Sequence, residues 1–204
     1  MGKEALIFGF DGVIVETEDL VLRYLNEGYG INLTRGSYDK GISMEKVVNQ
    51  ETGLNLTPEE FYWDFTRNFT ASFERNRDSE LFPDAENTLK CLAEKYNLYI
   101  STKRNSLGCS VLKFTLKRFG LLGCFTGIHF VYSFDEKKQF IKKPNLDFIS
   151  SFDSNVSFFI NASVPEIEKT KLIVPSILFN PREGEEVKGA WVANNWLELS
   201  GLLL

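Results

Sequence analysis

Histidine is nearly absent from this chain of 204 residues: His129 stands alone. A single imidazole excludes the multi-histidine centres that hold zinc or iron. His129 lies in the apolar run 128–132 and reads as a strand residue of the core. Cysteine is scarce as well. Cys91, Cys109 and Cys124 are too widely spaced for a Cys-x-x-Cys element and odd in number, so they are expected to be reduced and partly buried. Positive charge is in deficit. A formal net charge of -5 provides no electrostatic footprint for DNA, RNA or an anionic membrane surface, and small-molecule or protein partners are expected instead. Long apolar runs are missing too, so no segment is expected to span a membrane. Met-Gly-Lys-Glu leads directly into a strand rather than a secretory leader, which predicts a soluble, cytoplasmic protein.

What is present is an alternation of short apolar runs with helical periodicity. Runs at 4–9, 96–101, 127–132, 156–161 and 176–179 read as strands, and the helical segments between them predict an α/β fold with a parallel sheet. Residues 84–96 place Ala85, Leu89, Leu92, Ala93 and Tyr96 on one helical face, with Asn97 expected to close the helix in a left-handed conformation. Residues 106–119 read likewise, with Val111, Leu112 and Phe119 inward and Gly120 as the stop. The length suits one Rossmann-like three-layer core with a small insertion.

That insertion announces itself by distance. Far more residues separate the first two core strands than a simple crossover needs, so residues 1–16 and 81–204 are expected to form the core and residues 17–80 an α-helical cap. Thr57-Pro58-Glu59-Glu60 is a capping box with proline at the first helical position. Phe61, Phe65, Phe69 and Phe73 then recur every four residues, an aromatic stripe expected to pack inside the cap.

Four short motifs occur in order along the core. Ala5-Leu6-Ile7-Phe8 is a strand buried on both faces, followed by Gly9-Phe10-Asp11-Gly12. Asn97-Leu98-Tyr99-Ile100-Ser101 is a second strand ending in a hydroxyl. Lys143-Pro144-Asn145-Leu146-Asp147-Phe148 comes third. Ser157-Phe158-Phe159-Ile160 and Asn161-Ala162-Ser163-Val164-Pro165-Glu166 come last. The set resembles the haloacid dehalogenase-like (HAD) superfamily, in its phosphatase-like branch, over nearly the whole chain. The family's first motif is Asp-x-Asp-Gly, its third Lys-Pro-x-Pro, and its fourth Gly-Asp-x-x-x-Asp. Here Gly9 stands at the nucleophile, Leu146 at the second proline and Ala162 at a metal-binding aspartate. Glu166 occupies the last acidic position.

What the resemblance implies depends on those departures. In the family the first aspartate attacks phosphorus, the second protonates the leaving group, and magnesium neutralises charge. Asp11, Ser101 and Lys143 occupy catalytic positions of the family and are expected to be vestigial. Gly9, Ala162 and Glu166 mark a metal site that has lost two side-chain ligands, so no metal cofactor is expected; magnesium is the alternative. Asp11, Glu166 and Lys143 without a metal carry the same single net negative charge as the family's four carboxylates, lysine and dication. Gly12, Ser101, Thr102 and Lys143 are the candidate phosphate-binding residues, with Lys103 and Arg104 beside them. Otherwise Ser101 caps its strand, Lys143 pairs with Asp11 or Glu166, and Lys103 and Arg104 are solvated.

Three functions compete. The first is a pseudoenzyme with a hydrolase fold that binds a phosphorylated small molecule or a protein partner. The second is an active magnesium-dependent phosphatase in which Asp11 or Glu166 compensates. The third is an interaction module without a ligand, using the cap or the tail around Trp191 and Trp196, for which exposed tryptophans would speak.

Overall fold

The computed structural model describes residues 2–35, 43–61, 63–65, 80–105, 109–134, 140–152 and 155–204. In chain order the elements are β1 (Ala5–Gly9), β2 (Val15–Glu16), α1 (Glu18–Tyr29), α2 (Met44–Thr52), β3 (Glu80–Leu81), α3 (Ala85–Lys95), β4 (Asn97–Asn105) and α4 (Cys109–Arg118). They continue with β5 (Phe125–Phe134), β6 (Phe140–Lys142), α5 (Asn145–Ser150), β7 (Val156–Asn161), α6 (Val164–Thr170), β8 (Ser176–Phe179), β9 (Trp191–Ala193) and α7 (Trp196–Leu203).

Every residue of β1 is buried. Successive strand residues face opposite sides, so such a strand needs cover on both faces and belongs in the interior of a sheet. It lies at the centre of a seven-stranded sheet ordered β6-β5-β4-β1-β7-β8-β9. All pairings are parallel except that of β6, which runs antiparallel to β5 at one edge. The two faces are filled by two separate clusters. Leu6 and Phe8 pack with Leu89 of α3, Leu112 of α4 and Leu199 of α7. Ile7 packs with Ile149 of α5 and Ile167 of α6. A sheet between two helical layers is the three-layer α/β architecture that the strand–helix alternation predicts.

Several expectations change in detail. β4 and β5 each run past the predicted strand ends, while β6, β9 and α7 are additional elements. Asn97 does not close a helix in the left-handed region. Tyr96 already ends α3 in extended backbone, with φ -123°, because sheet pairing starts at Asn97, whose N–H donates to Glu4 O at 2.9 Å. Gly120 does take the left-handed conformation, φ 66°, after α4.

Beside the sheet, α1, α2 and the helical residues 58–61 and 63–65 share their own cluster, built on Leu22, Leu25, Val47, Val48 and Phe61. The capping box is formed: Thr57 N–H donates to Glu60 Oε2 at 2.8 Å, and Glu60 N–H donates back to Thr57 Oγ1 at 3.2 Å. Phe61 and Phe65 stack at 5.7 Å within this cluster; Phe69 and Phe73 lie outside the described residues. The short antiparallel pair β2–β3 brings residues 15–16 beside 80–81, so the chain leaves and re-enters the sheet region side by side.

The two tail tryptophans differ. Trp196 is 1% exposed, stacks on Phe8 at 5.8 Å, and donates its indole N–H to Val13 O at 2.8 Å. Trp191 lies on the edge strand β9 and is 54% exposed. None of the three cysteines is in a disulfide. Among the described residues no helix is long and apolar enough to cross a membrane.

Candidate functional site

The C-terminal ends of β1, β4 and β7 converge where ligands bind in open α/β sheets. β1 runs into a tight turn in which Gly12 N–H donates to Val15 O at 2.9 Å and Val15 N–H donates to Phe10 O at 3.1 Å. Gly12 has φ 75°, and a Cβ there would stand 3.2 Å from the Ala162 methyl, so both backbone and space call for glycine. The Gly12 amide is engaged within this turn rather than turned toward a ligand.

Asp11 leaves the same turn and is held on both carboxylate oxygens. Arg104, at the end of β4, donates Nε to Oδ2 at 3.0 Å and Nη2 to Oδ1 at 2.8 Å. Thr17 Oγ1 adds a donor to Oδ1 at 3.0 Å. The guanidinium also lies over the Phe10 ring, 5.1 Å from its centroid, and the Arg104 side chain is only 10% exposed. A planar fork on a carboxylate is the strong form of this pair.

The second polar chain starts at Ser101, 3% exposed. Its hydroxyl donates to Asn145 Oδ1, Asn145 Nδ2 donates to Glu166 Oε2 at 2.9 Å, and Lys103 Nζ stands 3.5 Å from Glu166 Oε1. Ser101, Asn145, Glu166 and Lys103 thus form one relay across β4, α5 and α6. Asn145 at its centre is 4% exposed.

Gly9 and Asn161 meet between these two groups. A Cβ built on Gly9 would lie 3.0 Å from Asn161 Nδ2 and 3.1 Å from Val13 Cγ2. The Asn161 amide is oriented by its other end, since Oδ1 accepts the Ser163 N–H at 2.9 Å. The space beside Gly9 is therefore filled by a carboxamide.

These groups line a cavity of about 210 Å³ that includes Gly9, Asp11, Ser101, Thr102, Lys103 and Asn161. Val21 of α1 and Met44 of α2 contribute apolar wall from the helical side. Glu18 also lines it, paired with Arg182. Ser163 Oγ, on the same wall, is buried and has no hydrogen-bond partner among the described residues.

No family model matches the sequence, and no curated protein does. Solved structures do. A predicted phosphatase from Clostridium acetobutylicum matches with TM-score 0.70 at 17% identity, covering 99% of this chain and 98% of that one. A predicted phosphoglycolate phosphatase from Haemophilus somnus matches with TM-score 0.67 at 16% identity, covering 99% and 98%. A haloacid dehalogenase-like family hydrolase from Streptococcus pneumoniae matches with TM-score 0.63 at 14% identity, covering 99% of each chain. The fold is haloacid dehalogenase-like.

On this haloacid dehalogenase-like fold the four motif ends can be compared with the residues present. Gly9 and Ala162 carry no side-chain oxygen, and both oxygens of Asp11 already accept from Arg104. Among the described residues no group of three or more His, Cys, Asp or Glu side chains could share an ion. A magnesium ion wants oxygen ligands in octahedral geometry, and this donor set does not fit it.

The structure places Asp11, Gly12, Ser101, Thr102, Ala162 and Gly9 around one cavity, with Glu166 behind Asn145. Lys143 is exposed and does not line that cavity. Its backbone is what the fold uses: N–H donates to Val131 O at 2.7 Å, and its carbonyl faces His129 Nε2 at 3.0 Å. The partners of the two carboxylates are Arg104 and Lys103, where the sequence points to Lys143. Thr17, Glu18, Asn145, Asn161 and Ser163 are polar residues of the cavity wall that sequence reasoning missed as site residues. A signal for Asn161 exists: an amide stands where the haloacid dehalogenase-like motif has glycine, opposite a glycine that replaces the motif's aspartate.

His129 stacks on Phe148 at 4.3 Å with an interplanar angle of 5°. Burial holds its pKa below the ordinary imidazole value of about 6.5. The folded state then binds the proton more weakly than the unfolded chain. This group's contribution to stability is complete above about pH 6.5 and is lost as pH falls through the lower folded value. The melting temperature of the wild type is expected to fall more steeply than that of His129→Gln between about pH 7 and pH 5. Parallel curves would refute the assignment, and the lone imidazole can be titrated directly by NMR.

Proposed function

We propose that this chain is a haloacid dehalogenase-like pseudoenzyme that holds a phosphorylated small molecule without hydrolysing its ester, and that it uses no metal cofactor. One observation carries the reading: the Asn161 amide fills the space beside Gly9 where the family motif has its attacking carboxylate. Asp11 is the acid on the same turn, but Arg104 and Thr17 hold it, and an attacking group must be free and in line with phosphorus. What surrounds the cavity instead suits an anion. Asn161 Nδ2, Ser163 Oγ, Thr102 and Lys103 offer donors or charge, while the wall carboxylates of Asp11 and Glu18 are each ion-paired with arginine. The active-phosphatase alternative would require Asp11 to leave Arg104.

The test combines turnover with binding. With magnesium and p-nitrophenyl phosphate, hydrolysis is expected to stay at the blank. Inorganic phosphate is expected to raise the melting temperature by mass action. Lys103→Ala should weaken that binding about tenfold or more, the loss of one charge-assisted contact, and Lys143→Ala should leave it nearly unchanged. Magnesium-dependent turnover that disappears in Asp11→Asn would sink the reading. So would phosphate binding that depends on Lys143 and not on Lys103.

A protein partner is the second reading, favoured by the exposed edge of the sheet at β9. Trp191 and Val192 there are 54% and 42% exposed.

A further inference from the structure

A second cleft, of about 540 Å³, opens between α2 on the helical side and β4, β6 and α6 on the sheet side. Four lysines from four separate elements line it: Lys46 of α2, Lys103 of β4, Lys142 of β6 and Lys169 of α6. The chain as a whole has net charge -5, so this concentration of cations runs against its composition. Among the described residues that line the cleft, Glu166 is the one acid. Its carboxylate is already engaged by Asn145 and Lys103. No carboxylate of the described residues pairs with Lys46, Lys142 or Lys169. Ammonium groups gathered in a concavity repel one another and focus a positive potential into it, which an anion relieves.

The cleft adjoins the cavity at Gly9: Lys103 and Val131 line both. We propose that a single ligand occupies the two spaces together: a small molecule with one phosphate against Asn161 and Ser163 and a second anionic group among Lys46, Lys142 and Lys169. This rests on the phosphate-binding reading above and adds the class of ligand, a doubly anionic metabolite such as a bisphosphate. Lys103, which lines both spaces, contacts the first phosphate from the side that faces the second anionic group.

Titration calorimetry on the full chain with fructose 6-phosphate and fructose 1,6-bisphosphate separates the two claims. The bisphosphate is expected to bind at least about tenfold tighter than the monophosphate, the gain of a further charge-assisted contact. In the triple variant Lys46→Gln, Lys142→Gln, Lys169→Gln that advantage should shrink to within about threefold, with monophosphate affinity unchanged. These lysines are exposed, so the variant keeps the core intact. Equal affinity for the two sugars, or an advantage that survives in the triple variant, overturns the second anion site and leaves the cavity reading standing. Bisphosphate binding that depends on the lysines but is indifferent to Asn161→Leu with Ser163→Ala overturns the cavity reading and the shared ligand with it. Binding of neither sugar overturns both.

Discussion

Rebuilding the family's carboxylates is expected to create a magnesium site only when Asn161 is removed at the same time. Gly9→Asp alone places its Cβ 3.0 Å from Asn161 Nδ2 and 3.1 Å from Val13 Cγ2. Overpacking of this kind costs roughly 1–3 kcal/mol. Asn161→Gly removes the tighter of the two contacts and leaves Val13 Cγ2, so Gly9→Asp with Asn161→Gly should recover part of that loss. Adding Ala162→Asp then supplies a second carboxylate from the end of β7. The triple variant should show a saturable rise in melting temperature with magnesium, worth about 2.7 kcal/mol at a hundred times the dissociation constant. Gly9→Asp with Ala162→Asp, leaving Asn161 in place, should show little or none. Equal magnesium affinity in both variants would refute the claim that Asn161 holds the place of the missing carboxylate.

Cutting the Asp11–Arg104 pair should be the second large effect. Arg104→Met removes a fork that makes two hydrogen bonds to Asp11 and leaves a carboxylate short of partners beside the cavity. Breaking a fully buried pair costs about 3–5 kcal/mol. Asp11 keeps 36% of its side chain exposed, so a loss nearer 1–2 kcal/mol in urea denaturation is expected once solvent screening is allowed for. Asp11→Asn in the Arg104→Met background should cost much less than it does in the wild type. The double-mutant cycle measures that coupling, and a coupling energy near zero would show that the pair is incidental.

The haloacid dehalogenase-like fold was legible because its strands are short, apolar and separated by helical periodicity, and because the motif residues fall at strand ends. Burial on both faces of β1 follows from four consecutive apolar side chains, with no need of its neighbours. Phe61 and Phe65 follow from a capping box that fixes where their helix starts. The pairings were harder to see. Asp11 and Arg104 lie 93 positions apart, and nothing in the local sequence distinguishes an arginine that folds back over Phe10 from a solvated one. Lys143 shows the reverse case. Its motif context suggests a cation at the site, yet its neighbouring backbone is taken up by β5 and its side chain points to solvent. Asn161 was legible only as a departure from a motif; its contact with Gly9 depends on two strands that become neighbours in the sheet.

The indole of Trp196 reaching the carbonyl of Val13 spans 183 positions, which has a consequence for how the molecule is made. β1 leaves the ribosome well before its sheet partners β4 and β7 and before Trp196, which stacks on its Phe8. Pairings across such sequence separations are slow to form, and a growing chain cannot make them until both ends exist. The turn that presents Asp11 therefore has its full set of anchors only after residues 196–203 have been synthesised. A nascent chain halted before α7 carries every motif residue and still lacks the indole that pins the turn, with Phe8 left without its stacking partner. That state leaves apolar surface of the unfinished sheet uncovered, the kind of surface through which incomplete chains aggregate.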